Sequence, residues 1–347
     1  MNLKEPLHFI RKALSFRKTW NLVKAMTSYG LSRLTKHPFV WGVPPVLMIE
    51  PTDICNLKCP LCPSGNGSLT RPKGFMDRQL FRQIVDEIAG RTHMLLLWNQ
   101  GESMMHRDFL DMVKYASERR LYTMVSTNGH YFRDPQAIVR SGLDSLIVSL
   151  DGATPETYRK YRVGGVFEKV IDGTKALVAA KRQLRSKTPI IHLQFILFKH
   201  NEHEVDQIHR LARELGVDKI TYKTAQIYKQ EDIRLFLPDR DEFRRYDVQD
   251  ASFRMKNGSG VPNRCRTLWL QPVLNWDGTV TPCCFDKDAD FAMGSYENGA
   301  SFERLWNNKR FNAFRKKVLT DRGQIEMCRN CTEGIKTNYE ERDIPVR

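Results

Sequence analysis

The sequence predicts an α/β chain: a partial (β/α)6 barrel of parallel strands with a small C-terminal β-hairpin plus helix domain. Three observations predict it. Six apolar runs alternate with amphipathic helical patterns between residues 46 and 223. Three cysteines fall within eight residues just after the first run, and the other five gather beyond residue 264. An Asp277-Gly278 turn signal lies inside that second set. Alternating strands and helices imply a parallel sheet with crossover helices. Six strands leave the barrel open, with functional groups at the strands' C-terminal ends, as in closed barrels.

Composition sets the bounds. The chain has 347 residues, 41% of them hydrophobic, enough for one large domain and a small one. No apolar run approaches the ~18–20 residues of a membrane span, and the opening segment is too basic and too interrupted for a secretory signal. Eight cysteines in clustered spacings point to metal in a reducing compartment, not to a disulfide framework. The expected location is cytoplasmic. There is no internal repeat and no low-complexity tract.

Residues 1–45 form the first unit. Up to residue 40 they carry eight lysines and arginines against the single acid Glu5, a net +7 within a formal +15 for the chain. Phe9, Ala13, Phe16, Trp20 and Val23 recur at three- and four-residue steps, which predicts one basic amphipathic helix. Such a helix can lie on an anionic membrane as a peripheral contact, dock a partner, or cover the barrel's open end. Pro38 and Gly42-Val43-Pro44-Pro45 end it. The barrel follows over 46–223, with strands predicted at 46–50, 94–100, 122–128, 145–150, 190–197 and 219–223. Helices are predicted at 77–89, 107–119, 135–141, 166–183 and 202–215. In the first, Leu80, Ile84 and Ile88 share a face. Residues 224–264 turn polar and end in Asn257-Gly258-Ser259-Gly260-Val261-Pro262, a linker or cap. A second module spans 265–335 and a tail 336–347.

Cys55, Cys59 and Cys62 carry the chemistry of the first strand end. Three thiolates on one loop leave one iron of a [4Fe–4S] cluster without a protein ligand, since such a cluster takes four. They also suit zinc with a fourth ligand from elsewhere, or serve as ordinary buried thiols. The CxxxCxxC spacing after the first strand resembles the cluster motif of the radical S-adenosylmethionine (SAM) superfamily. The resemblance implies a [4Fe–4S] cluster whose open iron chelates SAM, reductive cleavage of SAM, and hydrogen abstraction by the resulting 5′-deoxyadenosyl radical. Gln100-Gly101-Glu102-Ser103, after the second strand, resembles the family's Gly-Gly-Glu-Pro segment, with Gln100 and Ser103 as departures. It implies that Gly101 and Glu102 hold the SAM ammonium. Ser126-Thr127-Asn128-Gly129 and Ser149-Leu150-Asp151-Gly152 look like the family's ribose- and methionine-contacting strand ends, which implicates Ser126, Asn128, Ser149 and Asp151. Leu61 stands where the family often has an adenine-contacting aromatic. Arg162 pairs with the SAM carboxylate or is a surface base.

The second set comprises Cys265, Cys283, Cys284, Cys328 and Cys331. A hairpin at Asp277-Gly278 brings Cys265 and Cys283 together, and the Cys328-x-x-Cys331 knuckle follows a helix near 302–319. Zinc ribbons use similar geometry. Cys265-x12-Gly278-x4-Cys283 with a late CxxC resembles the SPASM/twitch extension of radical SAM enzymes. With one late CxxC, the resemblance implies one auxiliary [4Fe–4S] cluster on Cys265, Cys283, Cys328 and Cys331. Cys284 is then spare: a hydrogen-atom donor to a substrate radical, a small buried hydrophobe, or the ligand in place of Cys283.

The reading is a radical SAM oxidoreductase or maturase acting on a sugar- or aminocyclitol-like small molecule or a peptide, by net two-electron oxidation with the auxiliary cluster as electron acceptor. Asp286, His192 and Tyr222 are candidate bases. Lys309, Arg310, Arg315, Lys316 and Lys317 offer a basic face to an acidic flavodoxin or ferredoxin. Alternatives are an epimerase using Cys284, an RNA- or lipid-modifying radical SAM enzyme, and a non-catalytic metal sensor. Half the charge lies in one terminal helix and no RNA-binding module follows, which speaks against nucleic acid.

Overall fold

The computed structural model describes residues 4–249, 252–255, 261–297, 301–331 and 339–344. Six strands follow one another in spatial order and pair in parallel: β1 Val46–Ile49, β2 Met94–Leu96, β3 Tyr122–Thr127, β4 Ser145–Ser149, β5 Ile190–Leu197 and β6 Lys219–Thr224. This is the predicted partial barrel. Its core-facing side chains, among them Leu47, Leu95, Val125, Leu146, Ile191 and Ile220, are fully buried, each worth roughly 1.5–3 kcal/mol of transfer free energy.

The crossover helices follow from local chemistry. Asp77 caps the helix Arg78–Ile88 by accepting from the N–H groups of Gln79 and Leu80, and Phe81, Ile84, Val85 and Ile88 are its buried face. Helices Phe109–Glu118, Pro135–Arg140, Phe167–Gln183 and Val205–Leu215 fill the other predicted positions. One helix, Pro155–Tyr161, escapes the periodicity because it is short. Its signal lies in the Thr154–Thr157 capping box and in Pro155 at its first position.

The C-terminal region is continuous with the barrel sheet. The polar 224–264 stretch holds a helix Glu231–Phe236 and an antiparallel pair, β7 Tyr246–Gln249 and β8 Ser252–Met255, while 256–260 lies outside the described residues. The predicted hairpin is present as β9 Val273–Leu274 and β10 Thr279–Thr281, joined through Gly278 at φ +88°. It extends the barrel sheet: β9 runs parallel beside β1, and β11 Gly294–Ser295 pairs on β10. The region read as a tail supplies β12 Tyr339–Asp343, antiparallel to β6. Both edges of the six-stranded sheet are therefore paired, and the outer edges pass to the short strands β11 and β12.

The N-terminal segment is two helices, α1 Lys4–Ala13 and α2 Phe16–Thr35, broken where Ser15 takes an extended conformation and caps α2. α1 covers the barrel's N-terminal pole. His8 and Lys12 reach Asp144, and Glu5 meets Tyr122, His192 and Lys219, all at or near strand beginnings. No helix among the described residues is long and apolar enough to cross a membrane.

Candidate active site

At the opposite pole, the strand ends open into a cavity of about 530 Å3. Cys55, Cys59 and Cys62 all border it, as do Leu61, Gly101, Glu102, Ser126, Asn128, Ser149 and Arg162. Motifs spread over more than a hundred residues thus converge on one space.

The cysteine loop is held by its own backbone. The Cys62 N–H donates to the Cys59 carbonyl, and the Gly65 and Asn66 N–H groups donate to the Cys62 carbonyl. Gly65 must be glycine, because a Cβ there would lie 2.5 Å from the Cys59 nitrogen. The Asn128 amide donates to Cys55 Sγ at 3.8 Å and to Asn56 Oδ1 at 2.8 Å, and Arg162 Nη1 lies 3.9 Å from Cys59 Sγ. Burial pushes the Cys55 thiol up to about 12 and raises Cys59 as well. As free groups both are protonated at neutral pH, and a metal centre would have to displace those protons.

Glu102 is buried and well satisfied. Its carboxylate accepts from the Asn128 N–H at 2.6 Å, the Thr127 hydroxyl at 2.8 Å and the Met104 N–H at 3.1 Å. Burial raises its proton affinity against those three donors. A carboxylate has about four lone-pair sites, so one remains for a cation in the cavity. Gly101 sits at φ +72°, and a Cβ would fall 2.5 Å from the Thr52 carbonyl. Only glycine carries the chain through there.

Asp151 stands one layer back. It does not border the cavity; its carboxylate takes Arg162 Nε and Nη2 at 2.6 and 2.5 Å and the Ile196 N–H at 2.7 Å. Arg162, read as either a SAM contact or a surface base, is a largely buried cation, its side chain 12% exposed, that reaches the cysteine loop.

Cys265, Cys283, Cys328 and Cys331 are all buried near the C-terminal hairpin. Cys265 and Cys331 lie close enough to Cys283 to raise its proton affinity further, after burial and Cys284. The Arg322 guanidinium faces Cys265, Cys331 and Cys328. Its Nη1 donates to the Arg264 carbonyl at 2.6 Å, which fixes a cation beside the thiols. Among the described residues, no three His, Cys, Asp or Glu side chains gather tightly enough for one metal ion.

Other candidates are placed elsewhere. Cys284 packs against the cluster of Met48, Leu96 and Val273 and does not border the cavity. Asp286 is buried, accepts from the Phe291 N–H, and is pushed up to about 6 chiefly by burial. His192 and Tyr222 face away, His192 toward Glu5 and Ser145 at the strand beginnings and Tyr222 toward the Val205 carbonyl. None of these three borders the cavity. Arg315 is fully buried against Trp306 and Phe311, so it cannot belong to a docking face.

Sequence reasoning missed the upper wall. Lys223, Arg245, Lys287 and Tyr228 border the cavity, so that with Arg162 it holds four cations against one acid, Glu102, among the described residues. Lys223 follows the strand-end rule. Arg245 and Lys287 come from irregular stretches with no pattern to announce them. Also missed was Arg71, which reaches Glu50 at 2.7 Å and the Lys287 carbonyl at 2.8 Å and so ties barrel to C-terminal region.

Comparison with known proteins agrees with this arrangement. Residues 49–212 match the model of the radical SAM superfamily, and residues 265–332 that of SPASM, an iron–sulfur cluster-binding domain. The chain is 28% identical over 309 residues to a PqqA peptide cyclase of Gluconobacter oxydans, covering 83% of each protein. It is 23% identical to the tungsten-containing aldehyde ferredoxin oxidoreductase cofactor-modifying protein of Pyrococcus furiosus, covering 82% of this chain and 86% of that one. Among solved structures, BtrN in complex with AdoMet and 2-DOIA superposes with a TM-score of 0.53 at 16% identity, over 85% of this chain and 96% of that one. Streptococcus suis SuiB bound to the precursor peptide SuiA gives 0.59 at 12% identity, over 87% and 73%.

Proposed function

The chain belongs to the radical SAM superfamily and is a radical SAM enzyme with a SPASM-type domain, and on that premise we propose that it oxidises a peptide or a small sugar- or aminocyclitol-like molecule by two electrons. Cys55, Cys59 and Cys62 would hold the SAM-binding [4Fe–4S] cluster, and Cys265, Cys283, Cys328 and Cys331 one auxiliary [4Fe–4S] cluster. When bound, the first cluster supplies the electron that cleaves SAM to methionine and a 5′-deoxyadenosyl radical, which takes a hydrogen atom from the substrate. The chain's own residues bind and orient. Glu102 takes the SAM ammonium on its remaining lone pair, Asn128, Ser126 and Ser149 offer polar contacts at the strand ends, and Leu61 gives an apolar wall. Asp151 fixes Arg162 beside the cysteine loop, where its charge favours anionic groups.

The single observation that carries this reading is the convergence of three loop thiols and Glu102 on one cavity. A peptide substrate is supported by the 28% identity to a PqqA peptide cyclase. The four cavity cations support a substrate with an anionic group, since a polar site is built to match what it desolvates. Cys265, Cys283, Cys328 and Cys331 would hold the auxiliary cluster where it would supply an acceptor for the leftover electron, and Lys309, Arg310, Lys316 and Lys317 offer a basic face to an acidic flavodoxin- or ferredoxin-type donor. The testing experiment is anaerobic reconstitution with iron counting, then SAM and dithionite. The expected result is roughly eight irons per chain, four per cluster, with 5′-deoxyadenosine formed. Absence of 5′-deoxyadenosine refutes the enzyme, and about four irons with activity removes the auxiliary cluster.

A further inference from the structure

Helix α2 is mounted the wrong way round for a helix that only covers a core. At 3.6 residues per turn, Phe16, Trp20, Val23 and Leu34 fall within about 60° of one another. They form the apolar face, and all four are exposed, Phe16 and Leu34 at 84% and Trp20 at 53%. The opposite face is the one packed inward, and it is mostly polar: Lys18, Asn21, Ser28 and Ser32 are buried there beside Ala25 and Tyr29, whose ring meets Trp269. Lys18 Nζ donates to the Arg120 carbonyl at 2.7 Å, Asn21 donates to the carbonyls of Val43 and Arg91, and Ser32 bonds with Phe39. Nine of the fifteen large exposed hydrophobic side chains among the described residues lie within the first 41 positions. A concentration on that scale marks an interaction surface, whereas single exposed apolar residues do not.

Charge identifies the partner. Arg17 and Lys24 lie at the edge of the apolar face, and Arg11, Arg33 and Lys36 are exposed nearby. Glu5 is the only acid in the first 49 residues, and it is already held by Lys219 and His192. An apolar stripe with Trp and Phe, rimmed by cations and free of exposed acids, is the pattern of a helix lying in an anionic bilayer surface. We propose that α1 and α2 dock this enzyme peripherally on an anionic membrane, with Phe16, Trp20 and Leu34 as apolar anchors. The polar inward contacts all fall near strand beginnings, at the pole opposite the cavity. Docking therefore leaves the cavity open to the aqueous side and tethers the enzyme without feeding it bilayer lipid directly.

The test is co-sedimentation of the full chain with vesicles of mixed phosphatidylglycerol and phosphatidylcholine, and with phosphatidylcholine alone. Binding to the mixed vesicles, weakened by salt, is expected. The triple variant F16S/W20S/L34S should bind at least about tenfold more weakly. R17E/K24E should lose binding mainly at low salt. All three side-chain anchors are exposed, so both variants should keep the wild-type melting profile and 5′-deoxyadenosine yield, and binding itself is read on apo-protein independently of any cluster. No partition onto anionic vesicles at low salt overturns the proposal. So does light scattering that shows a dimer which F16S/W20S/L34S converts to a monomer, because the stripe would then be covered by a second copy.

Discussion

Replacing Glu102 by glutamine separates the carboxylate's two jobs. Oε1 accepts from the Thr127 hydroxyl and the Met104 N–H, and Oε2 from the Asn128 N–H at 2.6 Å. A glutamine keeps two of these bonds by placing its oxygen at the Oε1 position. Its amide nitrogen then faces the Asn128 N–H, donor against donor. The lost charged hydrogen bond costs about 1.5–3 kcal/mol, offset in part because a neutral amide is easier to bury than a carboxylate. Expected destabilisation of the apo-protein is therefore small, about 1 kcal/mol. The second, proposed job is pairing with the SAM ammonium, where loss of the charge should cost a similar 1.5–3 kcal/mol and raise the KM for SAM about ten- to hundredfold. The assay is 5′-deoxyadenosine formation against SAM concentration, with iron content checked first. A Glu102→Gln enzyme with normal iron and an unchanged KM for SAM would refute the role given to this carboxylate.

Four other outcomes are expected. Glu5→Gln should destabilise the chain by up to about 3 kcal/mol at pH 7, because His192 and Lys219 outweigh burial and hold this carboxyl down at about 2 from 4.5. A depressed carboxyl stabilises above its unfolded value and loses that contribution as pH falls, so urea melts of the two proteins should converge between pH 4.5 and about 2. Cys55→Ala should halve the iron and abolish 5′-deoxyadenosine, whereas Cys328→Ala should halve the iron, keep 5′-deoxyadenosine formation and lose product. Cys284→Ala should keep full iron and the wild-type product, since Cys284 packs against the cluster of Met48, Leu96 and Val273 and is not among the residues that line the cavity; loss of product with full iron would restore the hydrogen-donor reading. Arg245→Glu with Lys287→Glu should raise the KM for substrate at least about tenfold while SAM cleavage without substrate is unchanged, as measured by product and 5′-deoxyadenosine in parallel.

The barrel was legible because each βα unit repeats one signal, an apolar run followed by a 3.6-residue period. Strand ends were legible as well, since Gly101 and the Asn128-Gly129 and Asp151-Gly152 turns fall where a strand must stop. What a turn motif could not say is which side chain faces the cavity. Asp151 and Asn128 sit in equivalent tetrapeptides, yet Asn128 borders the cavity and Asp151 is claimed by Arg162, a residue eleven positions on. The cation-rich upper wall was hidden because Arg245 and Lys287 arrive from loops whose path depends on the sheet extension by β9 and β10. The basic run at 309–317 looked uniform, but Arg315 donates inward to the carbonyls of Leu268 and Trp306.

The N-terminal helices expose the assumption inside amphipathic reasoning. Periodicity at Phe9, Ala13, Phe16, Trp20 and Val23 finds the helical region correctly, and the usual inference then turns the apolar stripe toward the core. That inference holds only when the core is the sole apolar phase available. Here the surface beneath α2 presents backbone carbonyls at loop ends, from Val43, Arg91 and Arg120, which need donors, beside an apolar contact that Ala25 and Tyr29 fill. Lys18 and Asn21 supply them, and burying such carbonyls without partners would cost about 1–3 kcal/mol each. The face that carries those donors is therefore the one that fits the protein. The apolar face is left facing outward with its cationic edge, and among the described residues no protein surface covers it. A helix whose polar side is specified by the fold and whose apolar side is not has its second partner outside the chain, which is why vesicle binding is the measurement that interprets it.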